Sequence, residues 1–393
     1  GRTSSGATGF VKVPSRPVHP RFRTAEGTVR VLVCPTAFKE SLCTSEVAAA
    51  LEAGVLEAWP EADVRVLPLS DGGPGLLAAV EAVAGGREEE VPSTGPLGEP
   101  ITARILWTQP GEVVVEAAEA CGLHLVPPGA RDPLRADTAG VGNVLSHCGR
   151  SGARHVVLGL GGSATVDGGT GMARALGWRF LDSDGRALSH GGGALADLQS
   201  ILPPEDGPGS VRRPHTKLDV VALADVRSPL LGPVGAARRF AAQKGASPKE
   251  IELLEYGLTR LADIAARDLG RDVREIPGSG AAGGLGAGCL LFLGADIQPG
   301  ADGVLKRVGF DSALASVDLM VTGEGAWDAT SKLGKITEVA LARADEAGVP
   351  AILVCGRIDG PVPEGVETIS GGGSWLDRAA ITRLVAEGLR KRS

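Results

Sequence analysis

The stretch "VRVLVCPTAFKES" (29–41) joins an aliphatic run to a loop of small and polar residues. Its first six residues are typical of a buried strand. A helix is predicted to follow from Thr44, as the capping residue, to Trp59. A second strand, "DVRVLPL" (63–69), ends in the loop "SDGGPG" (70–75), after which another helix rich in Ala and Leu is predicted. This strand–helix–strand–helix order predicts a parallel sheet.

The C-terminal part of the chain repeats the same pattern, whereas the middle does not. "VDLMVTGEG" (317–325) predicts a strand that runs into a glycine-rich loop, followed by a helix over about 337–347 and a strand in "PAILVCG" (350–356). In the middle, "ITARILW" (101–107) and "EVVVEAA" (112–118) flank a short polar turn. This pair predicts an antiparallel hairpin, so the middle of the chain is expected to form a mixed α/β domain distinct from the parallel-sheet parts.

These patterns predict an α/β fold of two domains. The first is a discontinuous Rossmann- or flavodoxin-like domain with a parallel sheet, over residues 28–85 and 285–393. The second is a mixed α/β domain inserted between its halves, over residues 86–284, with a predicted loop at 198–216. Residues 1–27 are basic and lack a hydrophobic period, so they are predicted to be a flexible extension.

Composition excludes several classes of protein. A chain of 393 residues is longer than one hydrophobic core usually serves, which favours two domains. The net charge of −7 and the lack of a basic stripe exclude a nucleic-acid-binding surface. No apolar stretch is long enough to cross a membrane. The six cysteines form no CxxC pair, so we expect reduced thiols in a cytoplasmic protein.

The segment "GLGGSATVDGG" (159–169) directly follows a predicted strand. Its consecutive glycines would let backbone N–H groups point at an anion, helped by the positive end of the next helix. Ser163 and Thr165 can donate hydroxyl hydrogens, and Asp167 is expected to place a carboxylate at the rim of the loop. The alternative is a glycine-rich turn without a ligand.

A second glycine-rich segment, "GSGAAGGLGAG" (278–288), also precedes a predicted helix. Both segments contain a spelling of the dinucleotide-binding GxGxxG/A motif, which keeps an NAD-dependent oxidoreductase as an alternative. The second segment follows no predicted strand, however, and the first is not followed by a strand that ends in an acidic residue at the required spacing. The dinucleotide alternative therefore ranks below a phosphate-handling enzyme.

Carboxylates follow the predicted strands at three places, namely Asp71, Asp167 and Asp225. A kinase needs such groups to hold Mg²⁺ and to orient, or take the proton from, an attacking hydroxyl. Each aspartate alone is as readily a turn residue that binds its own backbone. Glu324 also lies just beyond a predicted strand end, where open α/β sheets bind ligands.

Candidate cations are fewer. Lys39, beside Ser41, lies in a short loop after a buried strand and could neutralise a phosphate or a substrate carboxylate. Arg238, Lys244 and Lys335 are further candidates, but a lysine or arginine is by default a solvated surface charge. Lys39 is therefore the preferred cation.

Six stretches in this order resemble the type I glycerate kinases of bacteria. The similarity extends from about Val29 to Ala347. The stretches that carry it are "PTAFKESL" (35–42), "SDGGPG" (70–75), "GLGGSATVDGGTGMARALG" (159–177), "ADVRSPLLGPVGAARRFAAQKGAS" (224–247), "GSGAAGGLGAG" (278–288) and "VTGEGAWDATSKLGK" (321–335).

The resemblance implies phosphorylation of D-glycerate by ATP with Mg²⁺, mostly at the 2-hydroxyl, in a cleft between two domains. The expected catalytic residues are Lys39, Asp71, Asp167 and Asp225, of which Asp71 and Asp225 are also the expected metal ligands. The expected substrate-binding residues are Ser41, Gly161, Gly162, Ser163 and Thr165. The expected ATP-binding residues are Gly280, Gly283, Gly284, Glu324, Asp328 and Lys335.

The chain departs from the family pattern at several positions. Thr36 and Ala37 replace Asp and Ser, Pro74 replaces Glu, Val166 and Ser228 replace Asn, and Ala326 replaces Arg. Loss of that arginine removes a bidentate clamp for an anion. These departures keep a second function open, that of a non-catalytic or altered-specificity protein that binds nucleotide or hydroxy-acid. The expected partner is a small molecule, D-glycerate or a similar hydroxy-acid, and a homodimer stays open.

Overall fold

The computed structural model describes residues 28–38, 42–205, 218–328, 335–373 and 376–391, so the predicted extension at 1–27 lies outside the described residues. The strands, in chain order, are β1 (Arg30–Pro35), β2 (Asp63–Val66), β3 (Arg87–Thr94), β4 (Pro100–Gln109), β5 (Glu112–Glu116), β6 (His155–Leu160), β7 (Arg179–Leu181), β8 (Ser200–Leu202), β9 (Asp219–Ala224), β10 (Asp296–Pro299), β11 (Leu319–Trp327), β12 (Ala351–Ile358) and β13 (Glu367–Ser370).

The α-helices connect and cover these strands. In chain order they are α1 (Thr44–Ala58), α2 (Leu76–Ala84), α3 (Ala118–Cys121), α4 (Ala139–Arg150), α5 (Thr170–Ala175), α6 (Ala236–Phe240), α7 (Pro248–Leu269), α8 (Ala281–Gly288), α9 (Gly300–Arg307), α10 (Phe310–Leu314), α11 (Ile336–Glu346) and α12 (Arg378–Arg390). A π-helical turn, Cys289–Leu293, extends α8, and short 3₁₀ turns include Ala242–Lys244.

Strands from both ends of the chain form one parallel sheet with the order β13-β12-β11-β1-β2. Numbered along the chain within this sheet, the order is 2-1-3-4-5, which is the flavodoxin-like arrangement. Its core includes Val31 and Val33 of β1 and Val321 of β11, which pack against Leu51 of α1. The predicted discontinuous parallel-sheet domain is therefore confirmed.

The second sheet has the order β10-β9-β6-β5-β4-β3. Strands β3, β4 and β5 pair antiparallel, which confirms the predicted hairpin, and β5, β6, β9 and β10 run parallel. Its core is mainly aliphatic, with Val113, Val115 and Leu158 among the fully buried side chains. The predicted inserted mixed α/β region is thus present. Within the predicted loop 198–216, β8 pairs with β7, and residues 206–217 lie outside the described part.

Contacts divide the described residues into two compact units, one of those up to residue 70 and from residue 304 onward and the other of those within 71–303. The dividing points differ from the predicted domain boundaries, because α2 packs on β4 and β5, and α8 packs on α5, α6 and β6. Asp71 therefore belongs to the second unit and not to the parallel-sheet unit of the predicted boundaries.

Two local features complete the fold. Helix α1 begins at Thr44, and Cys43, not Thr44, is its N-cap, with the Cys43 amide donating to the Glu46 carboxylate at 2.9 Å. All six cysteines are free thiols, and all but Cys43 are buried. Among the described residues, no helix is both long and apolar enough to cross a bilayer.

Candidate active site

The Asp71 loop, residues 71–75, lies across the carboxyl ends of the parallel strands of the six-stranded sheet. At β10, a Cβ at Gly300 would overlap the carbonyl oxygen of Asp71. At β6, a Cβ at Gly159 would overlap the carbonyl oxygen of Gly72. Because only glycine lets the loop approach the strand ends so closely, the glycines here fix the position of the Asp71 backbone.

The same loop continues beside the exposed part of the segment 159–169. A Cβ at Gly161 would lie 2.8 Å from Cα of Gly73, and a Cβ at Gly162 would lie 2.8 Å from Cγ of Pro74. Gly162 has φ +63° and is exposed. The structure therefore brings the predicted substrate-binding glycines and the predicted catalytic loop together at one edge of the sheet, where α/β proteins commonly bind ligands.

The backbone at Asp71 and the backbone just before Asp225 both border Gly300 at this edge, and both aspartates are half-buried. Asp225 directly follows β9, and a Cβ at Gly300, which borders Asp71, would lie 3.2 Å from the carbonyl carbon of Ala224. The Asp71 Oδ1 atom accepts a hydrogen bond from the Gly73 amide at 3.2 Å. The described residues contain no cluster of three or more His, Cys, Asp or Glu that could hold a metal ion. Mg²⁺ often takes only one or two protein carboxylates plus substrate phosphates, so the pair fits Mg²⁺ by its chemistry.

Asp167 does not lie at a rim, so this part of the prediction is wrong. Its side chain is 0% exposed. One carboxylate oxygen accepts hydrogen bonds from the Thr138 amide (3.0 Å), the Thr138 hydroxyl (2.8 Å) and the Gly171 amide (2.9 Å), and the other accepts from the Gly169 amide (3.2 Å). Burial, and then the nearby Asp137, raise the pKa of Asp167. Its carboxylate joins the first turns of α4 and α5, where a negative charge is favoured.

The other polar residues of this segment point inward as well. Ser163 and Thr165, which were predicted to bind substrate, are buried. The ammonium group of Lys244 donates to the Ser163 hydroxyl oxygen at 2.9 Å and to the Thr165 carbonyl oxygen at 2.7 Å. Lys244 is only 3% exposed, and burial lowers its pKa to about 8. Lys244 was named as a candidate cation but ranked below Lys39, and the default assignment of its side chain to the surface is wrong.

The second glycine-rich segment, 278–288, is packed against protein backbone along its length. A Cβ at Gly283 would overlap the Thr165 carbonyl oxygen, and one at Gly280 would overlap the Pro229 carbonyl oxygen. A Cβ at Gly284 would lie 2.9 Å from Cα of Gly168. These three glycines are buried, so close packing, and not an open ATP-binding surface, accounts for their lack of side chains.

Glu116 is a functional candidate that the sequence analysis missed. It ends β5, is 5% exposed, and accepts hydrogen bonds through Oε1 from the amides of Gly75 (3.0 Å) and Leu77 (2.8 Å). Burial, and to a lesser extent the negative charge of Glu119, raise the pKa of Glu116 to about 7. The residue fixes the end of the Asp71 loop and the start of α2. The sequence feature that could have indicated Glu116 is a carboxylate at the end of a buried aliphatic strand, "EVVVE".

The predicted residues of the other unit lie near the carboxyl end of β11. There the Lys335 ammonium is 3.5 Å from a carboxylate oxygen of Glu324. The Thr36 amide and hydroxyl donate to the Gly323 carbonyl oxygen at 3.1 and 2.9 Å. The loop after β1 is thus attached to β11 where the strand order of this sheet reverses, which is the usual ligand position of flavodoxin-like sheets.

Three further predicted residues lie outside the described residues or at their border. Lys39 and Ser41 lie outside the described residues. Asp328 is half-buried directly after β11, so its predicted contact with ATP stays a prediction.

Comparisons with known proteins agree with the arrangement of this site. The sequence profile of the "Glycerate kinase family" matches residues 31–372. The chain is 42% identical to "Glycerate kinase" of Bacillus subtilis (strain 168), over 84% of this chain and 85% of the relative. It is 39% identical to "Glycerate 2-kinase" of Escherichia coli (strain K12), over 78% and 80% of the two chains.

A solved structure extends this likeness to three dimensions. The crystal structure of a protein provisionally named glycerate kinase 2, from Salmonella typhimurium LT2, superposes with a TM-score of 0.77 at 36% identity and covers 93% of this chain and 97% of that chain. With the family profile and both relatives in agreement, the chain belongs to the glycerate kinase family.

Proposed function

We propose that this chain phosphorylates D-glycerate with ATP, at the 2-hydroxyl, and releases ADP and 2-phosphoglycerate. The observation that carries the proposal is the position of two half-buried aspartates, Asp71 and Asp225, whose neighbouring backbone borders Gly300 at the strand ends, with the accessible Gly161–Gly162 backbone beside the Asp71 loop. Membership of a kinase family supports ATP as the donor. The name of the Escherichia coli relative supports the 2-hydroxyl as the acceptor.

In the proposed reaction, the 2-hydroxyl oxygen of glycerate forms a bond to the γ-phosphorus of ATP, and the bond from that phosphorus to the β,γ-bridging oxygen breaks. Such transfers depend mainly on positioning and on neutralising charge. We assign acceptance of the hydroxyl proton to Asp71, because the other candidate, Asp167, has hydrogen-bond donors on both oxygens. The Gly73 amide holds one oxygen of Asp71 in place for this task.

Asp225, with Asp71 beside it, would hold Mg²⁺. When bound, the ion would neutralise negative charge on the phosphates. Glu116 would keep the Asp71 loop in position through its bonds to Gly75 and Leu77. The assignment of Lys39, Ser41, Glu324, Asp328 and Lys335 to contacts with substrate or ATP stays a prediction from the family resemblance.

The direct test is a coupled assay of ADP release with ATP and Mg²⁺, with and without D-glycerate, repeated for a panel of small hydroxy-acids. Glycerate-dependent ADP and a 2-phosphoglycerate signal in the phosphorus NMR spectrum are expected. ATP affinity without glycerate-dependent ADP would instead identify a non-catalytic binder. Transfer to another hydroxy-acid would identify an altered specificity, and NAD(H) binding in a fluorescence titration would favour an oxidoreductase.

Two further expectations accompany the proposal. The free thiols and the family membership are consistent with a cytoplasmic enzyme, which cell fractionation would test. A homodimer stays a prediction, and light scattering of the full chain measures it.

A further inference from the structure

The ammonium group of Lys244 is buried against the segment 159–169, where it donates hydrogen bonds to two oxygen atoms of that segment. Lys244 lies at the end of the 3₁₀ turn Ala242–Lys244 and bonds to the Ser163 hydroxyl oxygen (2.9 Å) and the Thr165 carbonyl oxygen (2.7 Å). The two acceptors belong to the residues on either side of Ala164, so the buried Lys244 side chain fixes the backbone conformation there. The outer residues of the segment, Gly161 and Gly162, are the more accessible ones.

Burying this charge is costly for folding. An ammonium group is strongly hydrated, and its removal from water disfavours the charged form. Among the described side chains, a negative charge on Cys121 or on Asp167 would favour the charged form of Lys244. Burial raises the pKa of the Cys121 thiol to about 12, so Cys121 stays neutral over the range in which Lys244 titrates. A neutral polar side chain could make the two bonds without the cost of a buried charge.

We propose that Lys244 is a positioning residue whose positive charge gives the Gly161–Ser163 backbone its affinity for a substrate oxyanion, either the acceptor carboxylate or a phosphoryl oxygen. The proposal rests on the proposed function. Ser163 accepts the bond from Lys244, which leaves its own hydroxyl hydrogen to be donated elsewhere. In a site with little water, a fixed positive charge behind backbone donors acts more strongly on an anion than it would in bulk solvent.

Three variants separate the charge from the mechanical support. Lys244→Gln keeps a hydrogen-bond donor and removes the charge, Lys244→Arg keeps the charge, and Lys249→Gln removes the charge of an exposed lysine as the matched control. We expect Lys244→Gln to lower kcat/KM for D-glycerate or for ATP at least about tenfold, the scale of one electrostatic contact. The substrate that is affected identifies the oxyanion. Lys244→Arg should retain more activity, and Lys249→Gln should behave as wild type.

Calorimetric binding of D-glycerate, ATP and inorganic phosphate makes the test independent of turnover. Wild-type affinity for the affected anion should fall as pH rises through about 8, the pKa of Lys244, and Lys244→Arg should lack this fall. If wild type binds these anions but does not phosphorylate glycerate, the proposed function fails, and the variants still decide the role of Lys244.

Several results would overturn the role of Lys244. The first is that folded Lys244→Gln binds all three anions as tightly as wild type does. The second is that anion binding by wild type does not change with pH, and the third is that wild type binds none of the three anions. If Lys244→Gln does not fold, the pH dependence of wild type and of Lys244→Arg decides alone.

Discussion

The two glycine-rich segments are similar in sequence and opposite in placement. The segment 159–169 has an accessible stretch beside the Asp71 loop, with Gly161 half-buried and Gly162 exposed. The segment 278–288 is buried, and its Gly283 lies against the Thr165 carbonyl of the first segment. One cluster of glycines thus leaves backbone accessible to a ligand, whereas the other lets two stretches of backbone pack together. Glycine density alone does not distinguish these two uses.

The aspartates divide in the same way. Asp71 and Asp225 are half-buried at strand ends. Asp167 is fully buried, and its carboxylate accepts four hydrogen bonds. We therefore expect substitutions at the accessible positions to affect turnover. Substitutions at the enclosed positions should affect the free energy of unfolding.

The largest effect on stability is expected from Gly283→Ala. Its Cβ would overlap the Thr165 carbonyl oxygen, and the residue has φ +69°. Gly270→Ala is the matched control, because Gly270 has φ +65° and no described atom lies within 4 Å of its Cβ position. We expect Gly270→Ala to cost about 1 kcal/mol through backbone strain alone. Gly283→Ala should cost more than about 4 kcal/mol, as only severe packing defects do.

Urea unfolding of both alanine variants measures this difference. Equal losses of unfolding free energy at the two positions would show that segment 278–288 is not tightly packed. Its glycines would then be available to ATP, as the sequence analysis predicted.

A smaller loss of stability is expected for Asp167→Asn. The asparagine amide would place an N–H group against the backbone donors of Thr138, Gly169 or Gly171, so at least one buried donor loses its acceptor. We expect the free energy of unfolding to fall by about 3 kcal/mol. Asp197→Asn, at an exposed aspartate, should change it little. Unchanged stability of Asp167→Asn would show that the carboxylate does not hold the two helix ends together.

The smallest effect is a change in pH dependence at Glu116. Its folded pKa of about 7 lies above the ordinary value of 4.5, so its contribution to stability is complete below about 4.5 and is lost as pH rises through about 7. Glu116→Gln should match wild type near pH 4.5 and exceed its stability at pH 8 by on the order of 2 kcal/mol. Urea titrations at both pH values measure this. If the two proteins differ in unfolding free energy by the same amount at both pH values, folding does not raise the pKa of Glu116.

Much of the fold could be predicted because it rests on local patterns. Continuous aliphatic runs identified β1, β6, β9 and β12, and the alternating pair around 108–111 identified the β4–β5 hairpin. The positions of Asp71 and Asp225 after strands also follow from local sequence. Their proximity does not follow from local sequence, because the strands that precede them, β2 and β9, belong to different sheets. It depends on the packing of the Asp71 loop against Gly300, beside the end of β9.

The remaining features depend on contacts between distant segments, which one sequence does not display. Nothing near Lys244 in the chain indicates that Ser163 and Thr165 will cover it. The enclosure of Asp167 likewise depends on Thr138, and the packing of Gly283 depends on Thr165. The domain boundaries shifted for the same reason, because α2 and α8 pack on strands and helices that lie far from them in the chain.

The most direct test compares kcat and the thermal unfolding midpoint for Asp71→Asn, Asp225→Asn and Asp167→Asn, in the assay of glycerate-dependent ADP release. The two strand-end variants should lose at least about a hundredfold in kcat while they keep the wild-type midpoint. Asp167→Asn should unfold several degrees lower and turn over near the wild-type rate while it is folded. Full stability and abolished turnover in Asp167→Asn, beside near-normal turnover in the other two, would contradict the assignment of the chemistry to the strand ends.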